Sequence, residues 1–172
     1  DLNADGYPDL IAGSAKIFTF INNGNGALVR NTTNESIITP QIHEAELADM
    51  DGDNDLDLVV YYMNTIDKVV WYSNNGSGVL TREDTITSMA NNIFKIALGD
   101  IDQDNDADLS LGYDQTNQLV WIENKGTAGF SPENTINSNV LSPSQIELGD
   151  LDNDGFPDLC HNASSGLFYY LN

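Results

Sequence analysis

The sequence predicts an all-β fold built from repeated four-stranded units, and three observations support that prediction. A nine-residue acidic segment occurs four times in the 172-residue chain, starting at residues 1, 49, 100 and 150. Short alternating or apolar segments flank the copies, and no part of the chain shows a sustained helical period. Self-similarity at a nearly fixed interval of this size is typical of an array of identical structural units.

The four acidic segments share one pattern. We call them loop 1 (1–9), loop 2 (49–57), loop 3 (100–108) and loop 4 (150–158), and we number the positions within each loop from one to nine. Positions 1, 3, 5 and 9 hold oxygen-bearing side chains, and Leu follows position 9 in every copy. Position 6 is Gly or Asn, the residues that most readily enter the left-handed conformation of a sharp turn.

Alternating oxygen ligands in a short acidic loop predict a bound calcium ion. Clustered carboxylates repel one another unless a cation neutralises them, and Ca²⁺ takes roughly six to eight oxygen ligands in flexible geometry. Mg²⁺ prefers fewer protein ligands and stricter octahedral geometry, and the loops contain no Cys or His for Zn²⁺. Position 7 varies freely, as expected of a ligand that uses its backbone carbonyl. The predicted cofactor is Ca²⁺, about three to four ions per chain.

Two alternatives compete with this interpretation. An EF-hand loop needs Glu at its twelfth position and helical flanks. The corresponding residues here are Ala12, Val60, Leu111 and His161, and the flanks resemble strands. A solvated acidic turn without metal is the simpler alternative. Agreement of four copies at positions 1, 3, 5, 6 and 9 disfavours it.

Each unit contains strand-like segments in a fixed order around its loop. The first strands precede loops 2 to 4, at 42–48, 93–99 and 145–149. The second strands follow the loops, at 10–12, 58–62, 109–113 and 159–161. The third strands lie at 16–22, 68–74, 118–124 and 166–172, and polar fourth strands lie at 27–32, 79–87 and 130–137. Four short strands per unit predict the blade of a β-propeller.

The predicted units are residues 1–40, 41–89, 90–140 and 141–172, which form a single partial β-propeller with an incomplete last unit. The chain starts inside a loop and ends after a third strand. We therefore expect a segment of a longer propeller of about seven blades, or two such arcs in one ring. An open arc would expose sheet edges, which invite association.

One position of the third strand is aromatic in three units. Thr19, Trp71, Trp121 and Tyr169 are equivalent, and each stands three residues before an Asn. The aromatic residues fit either core between blades, which is the commoner role, or a platform for stacking sugars. His43 and His161 occupy non-equivalent sites and are interpreted as incidental.

Charge and composition limit the possible partners. The formal net charge is −21, from 27 acidic and 6 basic residues, and 17 of the acids lie inside the four loops. So negative a chain lacks the basic patch that nucleic acid requires, and no apolar run approaches the length of a membrane span. Cys160 is the only cysteine, so no internal disulfide can form. Calcium is abundant outside cells, which favours an extracellular, secreted or cell-surface location.

The motifs carry a family resemblance over essentially the whole chain. The run Gly-Asp-Leu-Asp-Asn-Asp-Gly-Phe-Pro-Asp-Leu at 149–159 resembles the calcium loop of FG-GAP and VCBS repeats. The segments 70–78 and 120–126 are similar to the third strand and turn of the same repeats. The resemblance implies integrin-α-like β-propeller blades, each with Ca²⁺ in the loop that joins its first and second strands.

The resemblance also implies a ligand set, with side chains at positions 1, 3, 5 and 9 and the backbone carbonyl at position 7. These residues are Asp1, Asn3, Asp5, Tyr7, Asp9, Asp49, Asp51, Asp53, Asp55, Asp57, Asp100, Asp102, Asp104, Asp106, Asp108, Asp150, Asp152, Asp154, Phe156 and Asp158. Loop 1 departs from the family pattern at Asn3, which removes one negative charge and predicts weaker binding. Thr19 replaces the third-strand aromatic in the same unit, so this blade is degenerate or terminal.

Three functions are compatible with the sequence. The leading hypothesis is a calcium-stabilised, non-enzymatic scaffold that acts in adhesion or recognition through an unidentified protein or glycan ligand. The second is a carbohydrate-binding, lectin-like propeller, and the third is an accessory propeller of a polysaccharide-active enzyme. The sequence offers no catalytic residues and no cofactor-binding residues other than the metal ligands, because every acidic cluster repeats and an active site is normally unique.

Overall fold

The computed structural model describes residues 1–36, 41–63, 68–87, 93–140, 144–164 and 166–172. The chain divides into two compact units: unit 1 comprises Asp1–Asp49 and Asp53–Ser88, and unit 2 comprises Met50–Gly52 and Met89–Asn172. The described residues form fourteen strands in four antiparallel sheets, with two short 3₁₀ turns at Thr33–Ser36 and Gly126–Ala128. Within these residues no helix has the length and hydropathy of a membrane span.

Unit 1 contains two sheets whose strands follow one another in chain order. Sheet 1 consists of β1 (Leu10–Gly13), β2 (Ile17–Asn22) and β3 (Leu28–Asn31). Sheet 2 consists of β4 (Ile42–Ala48), β5 (Asp57–Tyr62), β6 (Lys68–Asn74) and β7 (Leu80–Thr87). Neighbouring strands pair antiparallel, so each sheet is a simple meander.

Unit 2 repeats the arrangement. Sheet 3 consists of β8 (Ile93–Gly99), β9 (Asp108–Tyr113), β10 (Gln118–Ile122) and β11 (Asn134–Asn137). Sheet 4 consists of β12 (Gln145–Gly149), β13 (Asp158–Ala163) and β14 (Gly166–Tyr170). The all-β class is confirmed, and the repeat boundaries stay a prediction because several of them fall at or beside residues outside the described ranges.

The core of each unit lies where its two sheets pack together. In unit 1, Ile17 of sheet 1 packs with Leu58, Val60 and Val70 of sheet 2. In unit 2, Ala97 and Leu119 of sheet 3 pack with Ile146 and Leu159 of sheet 4. All six residues of β5 and all six of β9 are buried, and both strands lie inside their sheets with a hydrogen-bonded strand on each side. Burial along the whole strand fits the continuous apolar run of β5, which does not alternate.

The fourth strand of sheet 3 is shorter than predicted. We expected it over 130–137, but β11 begins only at Asn134, and Phe130 forms a single bridge with Asn124. Pro132 lies between the two and lacks the N–H that a ladder needs. The hydroxyl of Ser131 also accepts a hydrogen bond from the Glu123 N–H (2.9 Å), which replaces a strand partner there.

A glycine of β9 gives a test of the packing in unit 2. A Cβ on Gly112 would lie 1.8 Å from Cε1 of Phe94, so Gly112→Ala must displace a partly buried ring. Overpacking of this kind costs about 1–3 kcal/mol, and we expect the midpoint of chemical denaturation to fall accordingly. Gly149→Ala is the matched control, because its Cβ would meet nothing within 4 Å. Equal midpoints for the two variants would contradict the packing described here.

Candidate metal centres

The loops occupy the positions in the sheets that the sequence predicts. Loop 2 joins β4 to β5, loop 3 joins β8 to β9, and loop 4 joins β12 to β13, while loop 1 leads into β1. In loops 2 to 4 position 9 is already the first residue of the second strand. Loops 2 to 4 are therefore each anchored at both ends by the ladder between the first two strands of their sheet.

Two residues of each loop adopt the left-handed conformation. At position 6 the φ angles of Gly6, Asn54, Asn105 and Gly155 are 86°, 69°, 75° and 94°, which confirms the predicted turn. The sequence did not reveal the second bend at position 4, where Ala4, Gly52, Gln103 and Asn153 have φ angles of 55°, 76°, 61° and 65°. Gly and Asn in two copies were a signal, but Ala and Gln in the other two concealed it.

The carboxylate at position 1 closes each loop on itself. In loop 4, Asp150 accepts hydrogen bonds from the N–H groups of Asp154 (3.2 Å) and Gly155 (3.0 Å). The same bonds occur in loops 1 and 3, and in loop 2 the Asn54 N–H donates to Asp49 (2.9 Å). In all four loops the N–H of position 7 donates to the carboxylate of position 5. These bonds wind the backbone around the acidic side chains.

The carboxylate at position 9 ties the loop to its sheet. In loop 3, buried Asp108 accepts hydrogen bonds from the N–H groups of Ile101 (2.9 Å) and Asn124 (2.8 Å). Asp158 of loop 4 accepts the equivalent pair from Leu151 (2.7 Å) and Asn172 (2.9 Å). Position 9 is therefore a structural acceptor within its own sheet as well as a predicted ligand.

The structure brings three predicted ligands together in each of loops 2, 3 and 4. One oxygen from each member lies within 4.8 Å of the others in the groups Asp49/Asp51/Asp53, Asp100/Asp102/Asp108 and Asp150/Asp152/Asp158. Position 5 joins this group in loop 2, and position 9 joins it in loops 3 and 4. The remaining predicted ligands, including the side chains of Asp104, Asp154 and Asp57, lie outside these three groups. At position 7 the ring of Tyr7 and the carboxylates of Asp55 and Asp106 lie beside the glycines of the following turn.

The chemistry of the loops fits a hard cation such as Ca²⁺. In loop 1 the amide nitrogen of Asn3 donates to Asp5 (3.0 Å), while Oδ1 of Asn3 is enclosed and lacks a hydrogen-bond partner among the described residues. A buried polar oxygen needs a partner, and a cation would supply one here. Desolvation and the neighbouring carboxylates Asp104 and Asp154 raise the pKa of Asp102 and Asp152, respectively. A divalent ion would relieve this repulsion.

Loops 3 and 4 should differ in their response to pH. Burial raises the pKa of Asp108 to about 6, whereas hydrogen bonds from Asn172 and Leu151 lower the pKa of Asp158. A carboxyl group must lose its proton to bind a cation, so protons compete at Asp108 below about pH 6 and we expect loop 3 to lose calcium affinity first. Calcium titrations at pH 7 and pH 5, followed by the amide resonances of Asn105 and Gly155, measure this. An equal loss in both loops would contradict it.

The sequence analysis noted an Asn after each third-strand aromatic but gave it no role. Each backbone N–H donates to the carboxylate at position 9 of the loop in the same repeat, at 2.7 to 2.9 Å, and the residues are Asn22, Asn74, Asn124 and Asn172. In the first three repeats the side-chain amide of this Asn also donates to the backbone carbonyl at position 8 of the loop, at 3.1 to 3.2 Å. The fixed offset in four units was the signal that could have identified these residues.

The third-strand aromatic position has no uniform environment. Thr19 is fully buried and accepts a hydrogen bond from the Asn34 amide (2.9 Å), whereas Trp71 and Trp121 are half-buried and Tyr169 is 65% exposed. The indole N–H of Trp71 donates to Asp57 (3.2 Å). The predicted role as core between blades therefore does not describe all four residues at this position.

Unit 2 contains a largely apolar cavity of about 230 Å³ beside Trp121. Leu148 and Tyr170 of sheet 4 line its other side. The hydroxyl of Ser110, which also lines the cavity, is buried without a hydrogen-bond partner among the described residues. The cavity thus combines an indole ring, apolar walls and one unused hydroxyl.

Comparison with known proteins supports the repeat architecture. A family model described as an FG-GAP-like repeat matches residues 1–60, 49–110 and 100–160. A search of curated proteins gives no significant match.

Seventeen chains of solved structures match this fold. One of them is a lectin from Agrocybe aegerita, described as specifically recognising non-reducing terminal N-acetylglucosamine. Its TM-score is 0.66 at 18% sequence identity, and the alignment covers 94% of this chain and 44% of the lectin chain. The chain therefore spans less than half the length of that lectin.

Proposed function

Because the chain belongs to the FG-GAP-like repeat family, we propose that it is a calcium-stabilised β-propeller scaffold of a secreted or cell-surface protein, acting in adhesion or recognition. The observation that carries the proposal is the recurrence of one loop geometry in four copies, with three carboxylates gathered in each of loops 2, 3 and 4. FG-GAP-like repeats form a β-rich scaffold here, and the repetition of every acidic cluster favours a binding role over an enzymatic one.

The residues of this chain would hold the ion and transmit its effect in a defined way. Positions 1, 3 and 5 or 9 supply carboxylate oxygens, and the N–H bonds to positions 1 and 5 hold those side chains in place. A bound Ca²⁺ would supply positive charge where acidic side chains gather. Since position 9 also bonds to the third strand, ordering of a loop rigidifies one end of its sheet. The remaining surfaces are then free to recognise a protein or glycan partner.

Calorimetric titration with Ca²⁺ tests the proposal directly. We expect about three to four ions per chain, with Mg²⁺ unable to replace them at equal concentration. Asp102→Ala and Asp152→Ala each remove an exposed carboxylate at position 3 from one of the gathered groups, so each should lower the stoichiometry by one ion. A chain that takes up no Ca²⁺ at millimolar concentration would refute the calcium scaffold.

Carbohydrate binding is a second candidate function. It is supported by the fold likeness to the N-acetylglucosamine-recognising lectin and by the cavity beside Trp121. Aromatic faces pack on the apolar faces of sugar rings, and the Ser110 hydroxyl would offer one polar contact. Retention on immobilised glycans ending in N-acetylglucosamine is the measurement. Trp121→Ala should abolish it, while Tyr169→Ala, at the equivalent but exposed position, should leave it intact. Equal retention by both variants would exclude the cavity as the sugar site.

A further inference from the structure

Three of the loops are each joined to the following repeat by the side-chain amide of one asparagine. The donor is the third-strand Asn, and the acceptor is the backbone carbonyl at position 2 of the preceding loop. The pairs are Asn74 with Leu2 (2.8 Å), Asn124 with Met50 (2.8 Å) and Asn172 with Ile101 (2.5 Å). We call each pair an asparagine bridge. Among the described residues, Asn22 of the first repeat forms hydrogen bonds only within that repeat.

Two of the three bridges, those of Asn74 and Asn172, connect two carboxylates at position 9. In unit 1, the Leu2 N–H donates to Asp9 of loop 1 (2.6 Å), and the Leu2 carbonyl accepts from the Asn74 amide. The backbone N–H of Asn74 in turn donates to Asp57 of loop 2 (2.7 Å). Leu2 lies between Asp1 and Asn3, which are predicted ligands. A hydrogen-bonded path therefore runs from loop 2 to the ligand-bearing backbone of loop 1.

The path is shielded from solvent. Leu2, Asp57 and Asn74 are each at most 2% exposed, so water does not compete for these bonds. In unit 2 the corresponding path runs from Asp158 through Asn172 and Ile101 to Asp108, and there Asn172 is exposed. There the side chain of Gln103 in loop 3 also donates to the Gly155 carbonyl of loop 4 (2.5 Å). Buried hydrogen bonds to charged groups are among the stronger interactions of a fold.

We propose that the asparagine bridges couple neighbouring loops, so that occupancy of one loop by a divalent cation raises the cation affinity of the loop before it. This inference rests on the proposed calcium binding. Ordering of loop 2 fixes Asp57, and with it Asn74 and the Leu2 peptide of loop 1. Part of the ordering cost of loop 1 is then met before its own ion arrives, which is positive cooperativity through rigidity. Loop 1, weakened by Asn3, gains most from such a neighbour.

Direct electrostatics between the loops would have the opposite sign. Two bound cations repel, and this repulsion needs no bridge and weakens with added salt. Coupling through Asn74 should instead be positive, insensitive to salt and dependent on that one side chain. The two effects can therefore be separated by substitution and by ionic strength.

The test is a calcium titration of the isotopically labelled chain, followed loop by loop by NMR. The amides of Gly6 in loop 1 and Asn54 in loop 2 are suitable probes, because each donates to the carboxylate at position 1 of its loop. Asp53→Ala disables loop 2 at an exposed position. In the otherwise unaltered chain, this substitution should raise the half-saturating calcium concentration of loop 1 at least about fivefold.

Removal of the bridge should remove that effect. When Asp53→Ala is added to Asn74→Ala, the half-saturating calcium concentration of loop 1 should be the same as in Asn74→Ala alone. If Asn74→Ala does not fold, Asn74→Asp replaces it, since it keeps the acceptor for the Gly78 N–H (3.0 Å) and lacks the donor. Asn22→Ala is the matched control, because it is equivalent in the repeat but forms no bridge, and there the fivefold effect should persist.

The outcomes separate this inference from the proposal beneath it. If neither probe shifts by about 10 mM Ca²⁺, calcium binding itself fails, and the coupling with it. Loops that both bind Ca²⁺ but respond to Asp53→Ala by less than twofold would overturn the coupling alone. So would a fivefold effect that persists without the Asn74 donor.

Discussion

Excess EDTA should lower the thermal midpoint of this chain sharply, and added Ca²⁺ should restore it. An ion present at one hundred times its dissociation constant stabilises the folded state by about 2.7 kcal/mol. Three such loops would contribute about 8 kcal/mol, which is comparable with the entire stability of a typical domain. Melting curves from circular dichroism, recorded with EDTA and after stepwise return of Ca²⁺, measure the effect.

Magnesium is the control for this experiment. At equal concentration it should not restore the midpoint, because Mg²⁺ demands octahedral geometry and gives up its water reluctantly. Sodium chloride at matched ionic strength controls for general screening of the −21 net charge. If the melting curve with EDTA coincides with the curve in Ca²⁺, the loops are acidic turns. The calcium proposal would then be withdrawn, while the family assignment would stand.

Asp57→Ala should destabilise the chain even without calcium, whereas Asp53→Ala should act only when calcium is present. Both residues belong to loop 2, but Asp57 is fully buried and accepts hydrogen bonds from the Asn74 N–H (2.7 Å) and the Trp71 indole (3.2 Å). Loss of this acceptor leaves buried donors unpaired, at about 1–3 kcal/mol each. Asp53 is exposed, and its loss costs the calcium-free chain less than about 0.5 kcal/mol.

Urea denaturation in EDTA separates these two roles. Asp57→Ala should lose about 3 kcal/mol relative to the original chain, and Asp53→Ala should superimpose on it. In saturating Ca²⁺ both variants should lose the contribution of one ion. If both variants unfold like the original chain in EDTA, position 9 is a ligand only, and the hydrogen bonds described here contribute little.

Periodicity and loop chemistry carried most of the fold prediction. The first strands at 42–48, 93–99 and 145–149 coincide with β4, β8 and β12, because a two-residue alternation ends abruptly at an acidic loop. The left-handed conformation at position 6 followed from Gly and Asn in all four copies. Family membership followed from the same motifs.

Contacts and burial that depend on packing could not be predicted from the sequence. Asn74 bonds to Leu2, which is 72 residues away in the chain, and no local pattern reveals such a contact. Trp71 and Trp121 share a position with exposed Tyr169, since burial there depends on the neighbouring sheet and not on the residue type. The enclosed hydroxyl of Ser110 was equally invisible, because a Ser within a strand usually faces solvent.

The second bend of each loop defines what these repeats can vary. Position 4 holds Ala, Gly, Gln and Asn in the four copies, so its constraint is one of backbone conformation and not of chemistry. Residues with a branched Cβ are the ones that a positive φ excludes most strongly. An alignment would score position 4 as unconserved, yet Val, Ile or Thr there would mark a copy that has lost its shape. Divergent repeats in other chains can therefore be recognised partly by the absence of Val, Ile and Thr at position 4.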